Sequence, residues 1–378
     1  MITLGIDVGG TFTDLVLHDA HTGEIRSLKT PTTPPTYADG VLNAIRITGT
    51  PAKDINGIVH GMTVATNTAL EMNGAQLGVI TTRGFRDVLI VGRGNRTKLY
   101  DIKAVRPPPL VERARVLEVD ERMTATGEVH LPLNEDHVAS ACARLLDEGV
   151  EAIAICFLHS YANPDHERRA ANIARQALPD IPISISSDIL PEYREFERFS
   201  TTALNAYVGP KVSQYLGRLS DGLAVSGIFA PLRIMGSNGG TWSAEAMSAE
   251  PVNAMLSGPA GGVTASIGIA KLLGLPNIIT YDMGGTSTDA CLIRNYDYNM
   301  TTEGHVGMWP NRAPQIEIKT VGAGGGSIAY MDLGKFLNVG PRSAGAAPGP
   351  ACYGKGGTEP TVTDANVVLG RFLSLIHI

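Results

Sequence analysis

The sequence has no apolar run long enough to cross a bilayer. Its start, Met1-Ile2-Thr3-Leu4-Gly5, carries neither a basic flank nor a secretory apolar stretch, so a cytoplasmic protein is expected. Cysteine is scarce. Cys142, Cys156, Cys291 and Cys352 are far apart and form no Cys-x-x-Cys, which argues against a disulfide framework and a cysteine zinc site. The first three sit in apolar patterns and read as small core residues. His159 and His166 lack metal-ligand spacing, and no His-Glu-x-x-His pattern occurs. No Gly-x-Ser-x-Gly elbow is present, which counts against the usual serine-hydrolase chemistry. There is no basic excess either: 31 Lys and Arg against 37 Asp and Glu give a net charge of −6, so neither nucleic acid nor an anionic membrane is expected as a partner.

What is present is a chain of 378 residues with 43% hydrophobic residues, enough for real cores. At roughly 150 residues per domain it should form two or three domains. One pattern occurs twice. Asp7-Val8-Gly9-Gly10-Thr11-Phe12-Thr13-Asp14 returns as Asp282-Met283-Gly284-Gly285-Thr286-Ser287-Thr288-Asp289, identical at six of eight positions. Each copy follows a strand-like run, Ile2 to Val8 or Asn277 to Met283, and precedes another apolar run, so each reads as a β-hairpin with Gly-Gly at its tip. Paired glycines let a ligand approach the main chain, and successive amides can form an anion-binding concavity. Threonine hydroxyls add donors, and an aspartate at a strand end can hold a divalent cation that bridges phosphates. One copy alone could be an ordinary hairpin. Duplication of the Thr-x-Thr-Asp that follows the glycines favours two loops gripping a polyphosphate and its magnesium, the geometry of an ATPase or kinase.

Between the loops, apolar periodicity predicts a helix over Tyr37 to Ile47 and a buried strand at Gly78 to Thr82. Asn134 should cap a helix with Val138, Ala141, Cys142, Leu145 and Leu146 on one face, ended by Gly149. A strand over Glu151 to Leu158, a helix over Pro164 to Leu178 and a strand at Ile183 to Ser186 follow. This alternation indicates an α/β layer with a largely parallel sheet. A long helix from about Tyr193 to Leu219 is expected to link two domains. A strand at Leu232 to Met235 and a glycine-rich helix start at Ser257 lead to the second hairpin.

Other candidates are weaker. Gly349 to Gly356 nearly spells a P-loop, but Gly356 stands where Ser or Thr must meet magnesium. Gly322 to Ser327 could be a backbone-lined ligand wall or a close-packing loop. His60 is read as a hydrogen-bonded structural residue, with a place at a cleft as the alternative. The cluster Arg83, Arg86, Asp87, Arg93, Arg96 and Lys98 could meet phosphates or be solvated and paired.

With both loops in view, the chain resembles the actin, sugar-kinase and heat-shock-chaperone ATPase superfamily. Within it the match is to the hydantoinase A/5-oxoprolinase family, of the N-methylhydantoinase A kind. Beyond the loops the resemblance runs through His60 to Asn67, Gly84-Phe85-Arg86-Asp87, Tyr100-Asp101, Leu158-His159-Ser160-Tyr161 and Pro164 to Glu167. It continues through Leu256 to Gly262, Val321 to Ile328, and Gly345 to Gly354 followed by Thr363-Asp364-Ala365-Asn366. It implies an α/β fold of two ribonuclease-H-like domains around a nucleotide cleft, the second incomplete. The expected division is an N-terminal domain over 1–190, a partial hydantoinase A domain over 191–371 and a tail at 372–378 outside the family pattern. The chain would then be a truncated form.

The resemblance further implies ATP and Mg2+ as cofactors, a cyclic amide such as a hydantoin as substrate, and a hydantoinase B-like partner in a hetero-oligomer. Asp7 and Asp282 would hold the metal. Gly9, Gly10, Thr11, Thr13, Gly284, Gly285, Thr286 and Thr288 would bind the nucleotide with them. Asp282 and Asp289 are the catalytic candidates; Asp289 either orients the acceptor or acts as base, or only closes its hairpin, and Asp14 is similar. Valine at position 8, where oxoprolinases tend to carry arginine, favours the bacterial hydantoinase or ketone-carboxylase branch. An acetone- or acetophenone-type carboxylase subunit, a small-molecule kinase and an incomplete, nucleotide-incompetent fragment are the alternatives.

Overall fold

The computed structural model describes residues 1–9, 12–33, 36–95, 100, 103, 108–345 and 347–371. It is a mixed α/β protein. Its backbone divides into two units, Met1–Gly258 with Thr301–Gln315, and Pro259–Met300 with Ile316–Ile378.

In the first unit, strands β1 (Ile2–Val8), β2 (Phe12–Asp19) and β3 (Glu24–Pro31) form an antiparallel meander. Helix α1 (Tyr37–Ile47) returns the chain to β4 (Ile55–Met62), which lies parallel to β1 and runs into helix α2 (Val64–Leu70). Then come β5 (Leu77–Thr82), β6 (Val116–Val119), α3 (Glu135–Asp147), β7 (Ala152–Cys156), α4 (Asp165–Ala177) and β8 (Ile183–Ile185). Helix α5 (Glu195–Val225), β9 (Leu232–Met235) and β10 (Thr241–Ser243) complete the set. Two sheets result, in the orders β10-β9-β4-β1-β2-β3 and β8-β7-β5-β6, the second parallel throughout.

Every residue of β5 and β7 is buried, as expected for parallel strands covered on both faces, which is why their sequences are apolar runs without alternation. Asn134 caps α3 by accepting from the His137 amide at 3.1 Å. Val138, Ala141, Cys142 and Leu145 are buried as the periodicity requires, but Leu146 is 55% exposed. One residue further is about 100° around a helix, enough to carry Leu146 off the apolar stripe.

Helix α5 differs more from expectation. It is not a connection but part of the first unit's core, in contact with β7 of one sheet and with α1 and α2 against the other. Residues 198–208 are all buried. Burial on every side is how a central helix differs from an amphipathic surface one. Beneath it, buried Glu167 accepts from the Phe157 amide at 2.7 Å, the Ser186 hydroxyl at 2.6 Å and the Ser187 amide at 2.7 Å. Arg198 donates to Ser186 Oγ at 3.1 Å and to the Phe157 carbonyl at 2.9 Å. Burial raises the Glu167 carboxyl and lowers the Arg198 guanidinium from their ordinary values, and a hydroxyl shared between them satisfies both.

The second unit is built on helix α6 (Ser257–Leu273) and the hairpin of β11 (Ile278–Met283) and β12 (Thr288–Arg294), with Lys319–Val321 added beside β12. Its core is small: Ala260, Val263, Ile267, Cys291, Ile293 and Ile316. Among the described residues no helix is long and apolar enough to cross a membrane.

His60, fully buried on β4, ties the two layers of the first unit together. Its Nδ1 lies 3.2 Å from the Ile6 carbonyl on β1, and its Nε2 lies 2.6 Å from the Tyr215 hydroxyl on α5. Burial lowers its pKa from 6.5 to about 4. The unfolded chain therefore takes up this proton first. The contribution is unchanged above pH 6.5 and is lost progressively as pH falls towards 4. Stability should drop by about 2 kcal/mol between pH 7 and pH 5 through this residue. Urea unfolding at both pH values will show the drop in the wild type and its loss in His60→Gln; equal pH slopes would contradict it.

Candidate functional site

The two duplicated segments fold alike. In the first, Asp7 pairs with Asp14 and Val8 with Thr13 across the hairpin, and the Gly9 amide donates to the Phe12 carbonyl at 2.9 Å. In the second, Asp282 pairs with Asp289 and Met283 with Thr288, and the Gly284 amide donates to the Ser287 carbonyl at 2.9 Å. Both hairpins therefore share one register and one closing hydrogen bond. Gly10 and Thr11 lie outside the described residues.

Each turn is held from behind through its carbonyls. At the first, Thr32 Oγ1 donates to the Gly9 carbonyl at 2.9 Å and Thr63 Oγ1 to the Val8 carbonyl at 3.0 Å. Thr13 is fully buried, with its hydroxyl 3.2 Å from that of Thr32. The Asp7 carboxylate lies over Gly61, where an added Cβ would stand 3.0 Å from Oδ1, so a side chain there would crowd it. Asp14 pairs with Lys29 at 3.1 Å.

At the second turn the supports are amides. Gly325 donates to the Gly284 carbonyl at 2.9 Å and Gly326 to the Gly285 carbonyl at 2.7 Å. Buried Thr288 donates to the Ala323 carbonyl at 2.5 Å, and Thr320 donates to Asp289 Oδ1 at 2.6 Å. The segment Gly322 to Ser327 is thus the backing of the second hairpin. A Cβ on Gly324 would fall 2.7 Å from the backbone of Gly284, Gly285 and Thr286. That segment is anchored in turn by Thr363, whose amide and hydroxyl both donate to the Gly325 carbonyl at 2.8 Å. Asp282, Gly284, Gly285 and Thr286 are exposed. With the carbonyls of both glycines bonded to protein donors and the Gly284 amide closing the turn on Ser287, the exposed Gly285 and Thr286 carry the turn's amides that could meet an anion.

The remaining candidates find ordinary roles. The amides of Ala351 and Cys352, in the P-loop look-alike, donate to Asp364 at 3.3 and 2.7 Å. Burial works to raise the Asp364 carboxyl, but the contacts from Cys352 and Thr361 outweigh it and hold it down at about 2. Of the basic cluster, Arg83 pairs with Asp120 and Arg93 with Glu197, the cluster's own Asp87 is held by Arg113, and Arg96 and Lys98 lie outside the described residues. Among the described residues no group of three or more His, Cys, Asp or Glu is placed to hold a metal. A magnesium ion sharing one carboxylate with phosphates and waters needs no such group. Of the supports, Thr32 was not picked out from sequence, while Gly61 and Gly324 were read only as members of the His60 to Asn67 and Gly322 to Ser327 segments, the second with close packing as one of its two readings. Each acts through a single contact on a distant hairpin, and no local pattern announces it.

The structure thus carries two glycine hairpins of the same register on a mixed α/β scaffold. The chain belongs to the hydantoinase/oxoprolinase family: residues 3–178 match the hydantoinase/oxoprolinase N-terminal region and residues 198–374 the hydantoinase/oxoprolinase domain. It is 41% identical over 383 residues to an uncharacterised protein of Methanocaldococcus jannaschii, covering 97% of this chain and 56% of that one. It is 39% identical over 377 residues to the caprolactamase subunit alpha of Pseudomonas jessenii, covering 97% and 54%. The crystal structure of that ATP-dependent caprolactamase matches with a TM-score of 0.87 over 98% of this chain and 55% of that one. A nucleotide-free acetone carboxylase matches with a TM-score of 0.78 at 30% identity, over 98% and 55%. The chain thus spans about half the length of the relatives it matches.

The backing of the second hairpin generates a test. Gly324→Ala should force the turn off Gly325 and Gly326, so that hydrogen exchange at those two amides rises at least tenfold while β5 and β7 stay protected. Unchanged exchange would mean the turn does not rest on this segment.

Proposed function

We propose that this chain is the nucleotide-binding subunit of an ATP-dependent cyclic amide hydrolase, acting with a hydantoinase B-like partner in a hetero-oligomer. The observation that carries the reading is the twin hairpin, with the same Asp register and the same Gly-to-carbonyl closure in both copies. The similarity to a caprolactamase alpha subunit supports the substrate class. The family's two modules are assigned to 1–190 and 191–371, each with one hairpin of the ribonuclease-H-like, actin-like kind, and the protein to the cytoplasm.

The chemistry follows from the substrate. Amide resonance makes a lactam carbonyl a poor electrophile; moving the γ-phosphoryl group of ATP to its oxygen breaks the bond to ADP and turns that oxygen into a leaving group. Phosphoryl transfer asks the protein chiefly for positioning and charge stabilisation. The backbone amides of Gly10, Thr11, Gly285 and Thr286 are assigned to the phosphates, and Gly9 and Gly284, whose amides close the two turns, are assigned to the same nucleotide site as the residues that let a ligand approach the main chain. Thr13 and Thr288, buried and bonded within the protein, serve the nucleotide by shaping the turns. Asp7 and Asp282 are assigned to Mg2+, which would neutralise phosphate charge when bound. Asp289, bridged to Thr320, is assigned to orientation at the hairpin.

A ketone carboxylase subunit is the second reading, favoured by the match to acetone carboxylase. The two part on what drives turnover. Mixed with its partner subunit, the protein should release ADP only when a cyclic amide is supplied, with one ring-opened amino acid per ADP. ADP release that needs bicarbonate and a ketone would replace this reading with the second, and no coupling to either would contradict both.

A further inference from the structure

Apart from the hairpins, the first unit contains a cavity of about 410 Å³, within the size range of small-molecule sites. Its walls are the segment that leaves the carboxyl end of β5, the first turns of α5, and a hairpin of Gly304–Val306 and Trp309–Asn311. Carboxyl ends of parallel strands are where α/β sheets place ligands. Leu89, Leu110, Phe196, Met308 and Trp309 make the lining largely apolar. Gly92, at a φ of 56°, lets the β5 segment lie against Phe196, whose ring is 3.1 Å from where a Cβ would stand.

The polar groups identify the kind of ligand. Among the described lining residues the charged ones are Arg93 and Glu197, and they neutralise each other in a two-point contact, Nε to Oε1 at 2.9 Å and Nη2 to Oε2 at 2.5 Å. Among the described lining residues no unpaired charge is left over for an ionic ligand. Ser200, 2% exposed, donates its hydroxyl hydrogen to the Pro310 carbonyl at 2.9 Å and keeps acceptor lone pairs. Asn95 and His305 add groups that both donate and accept. A half-open cleft with several large apolar side chains, a few donors and acceptors and no net charge on its described residues suits a compact neutral ring bearing an amide.

The cavity is also tied mechanically to the first hairpin. Helix α2 begins beside Thr63, which bonds the Val8 carbonyl, and ends at Leu70, which packs against Gly307 in the turn before Trp309. Seven residues of helix span ~10 Å. We infer that this cavity binds the neutral cyclic amide. The inference rests on the lactam reading above and adds where the ring sits.

The chain has two tryptophans, Trp242 and Trp309, so Trp242→Phe leaves Trp309 as the sole reporter. Titration with ε-caprolactam should change Trp309 emission saturably without ATP. 5-Oxoproline, a lactam with a carboxylate, should need at least tenfold more. Val91→Phe, at a half-exposed position on the cavity wall, should raise the half-saturating caprolactam concentration at least tenfold without unfolding the protein. Absence of a saturable response, or one that Val91→Phe leaves unchanged, would overturn the assignment. The readout needs neither nucleotide nor partner. A saturable response without ATP-coupled ring opening would therefore support the cavity and remove only the catalytic reading. Ring opening with a KM that Val91→Phe does not move would overturn the cavity and spare the reaction.

Discussion

A turn made of two glycines has no side chains with which to hold its own shape, and that constraint organises much of this protein. Glycine is required where a ligand must approach the main chain, yet it is the residue with most conformational freedom to lose. The remedy is to tie down the turn's carbonyls from the rear. Thr32 and Thr63 do this for the first hairpin, and Gly325 and Gly326 for the second. Each support is itself fixed, Thr63 at the head of α2 and Gly325 by Thr363. Rigidity obtained this way draws on the carbonyls of the turns and not on the tip amides proposed to meet phosphate.

The deeper layers serve the same end by different chemistry. Parallel strands buried on both faces need their polar ends satisfied internally, and Glu167, Ser186 and Arg198 do so where β7 meets α5. Such a network strongly penalises the loss of any one member. His60 joins β1, β4 and α5 with two hydrogen bonds and remains neutral because burial makes its charged form costly. The hairpin strand β1 is thereby fixed to a helix on the far side of its sheet.

Much of this was legible in sequence, for identifiable reasons. The hairpins showed because a repeated eight-residue pattern is local, and α1 and α3 because their stripes keep the 3.6-residue period. Leu146 was misplaced because one step along a helix separates a buried face from a wet one. Helix α5 was taken for a connection because its length suggested a linker, whereas burial on all sides is decided by two sheets that the helix sequence does not mention. Thr32 was not found, and Gly61 and Gly324 were seen only within longer segments, for the same reason: their importance lies wholly in what the chain brings against them. Thr13 and Thr288 have the residue type of phosphate ligands, but in the fold their hydroxyls are bonded inward.

The central claim is that each glycine hairpin with its leading aspartate is a phosphate and magnesium cradle. Calorimetric titration of this chain with MgATP tests it most directly, alongside Asp7→Asn and Asp282→Asn. Magnesium-dependent binding that each substitution weakens at least tenfold is the predicted result. Binding that ignores both substitutions, or no binding in the wild type, would contradict it.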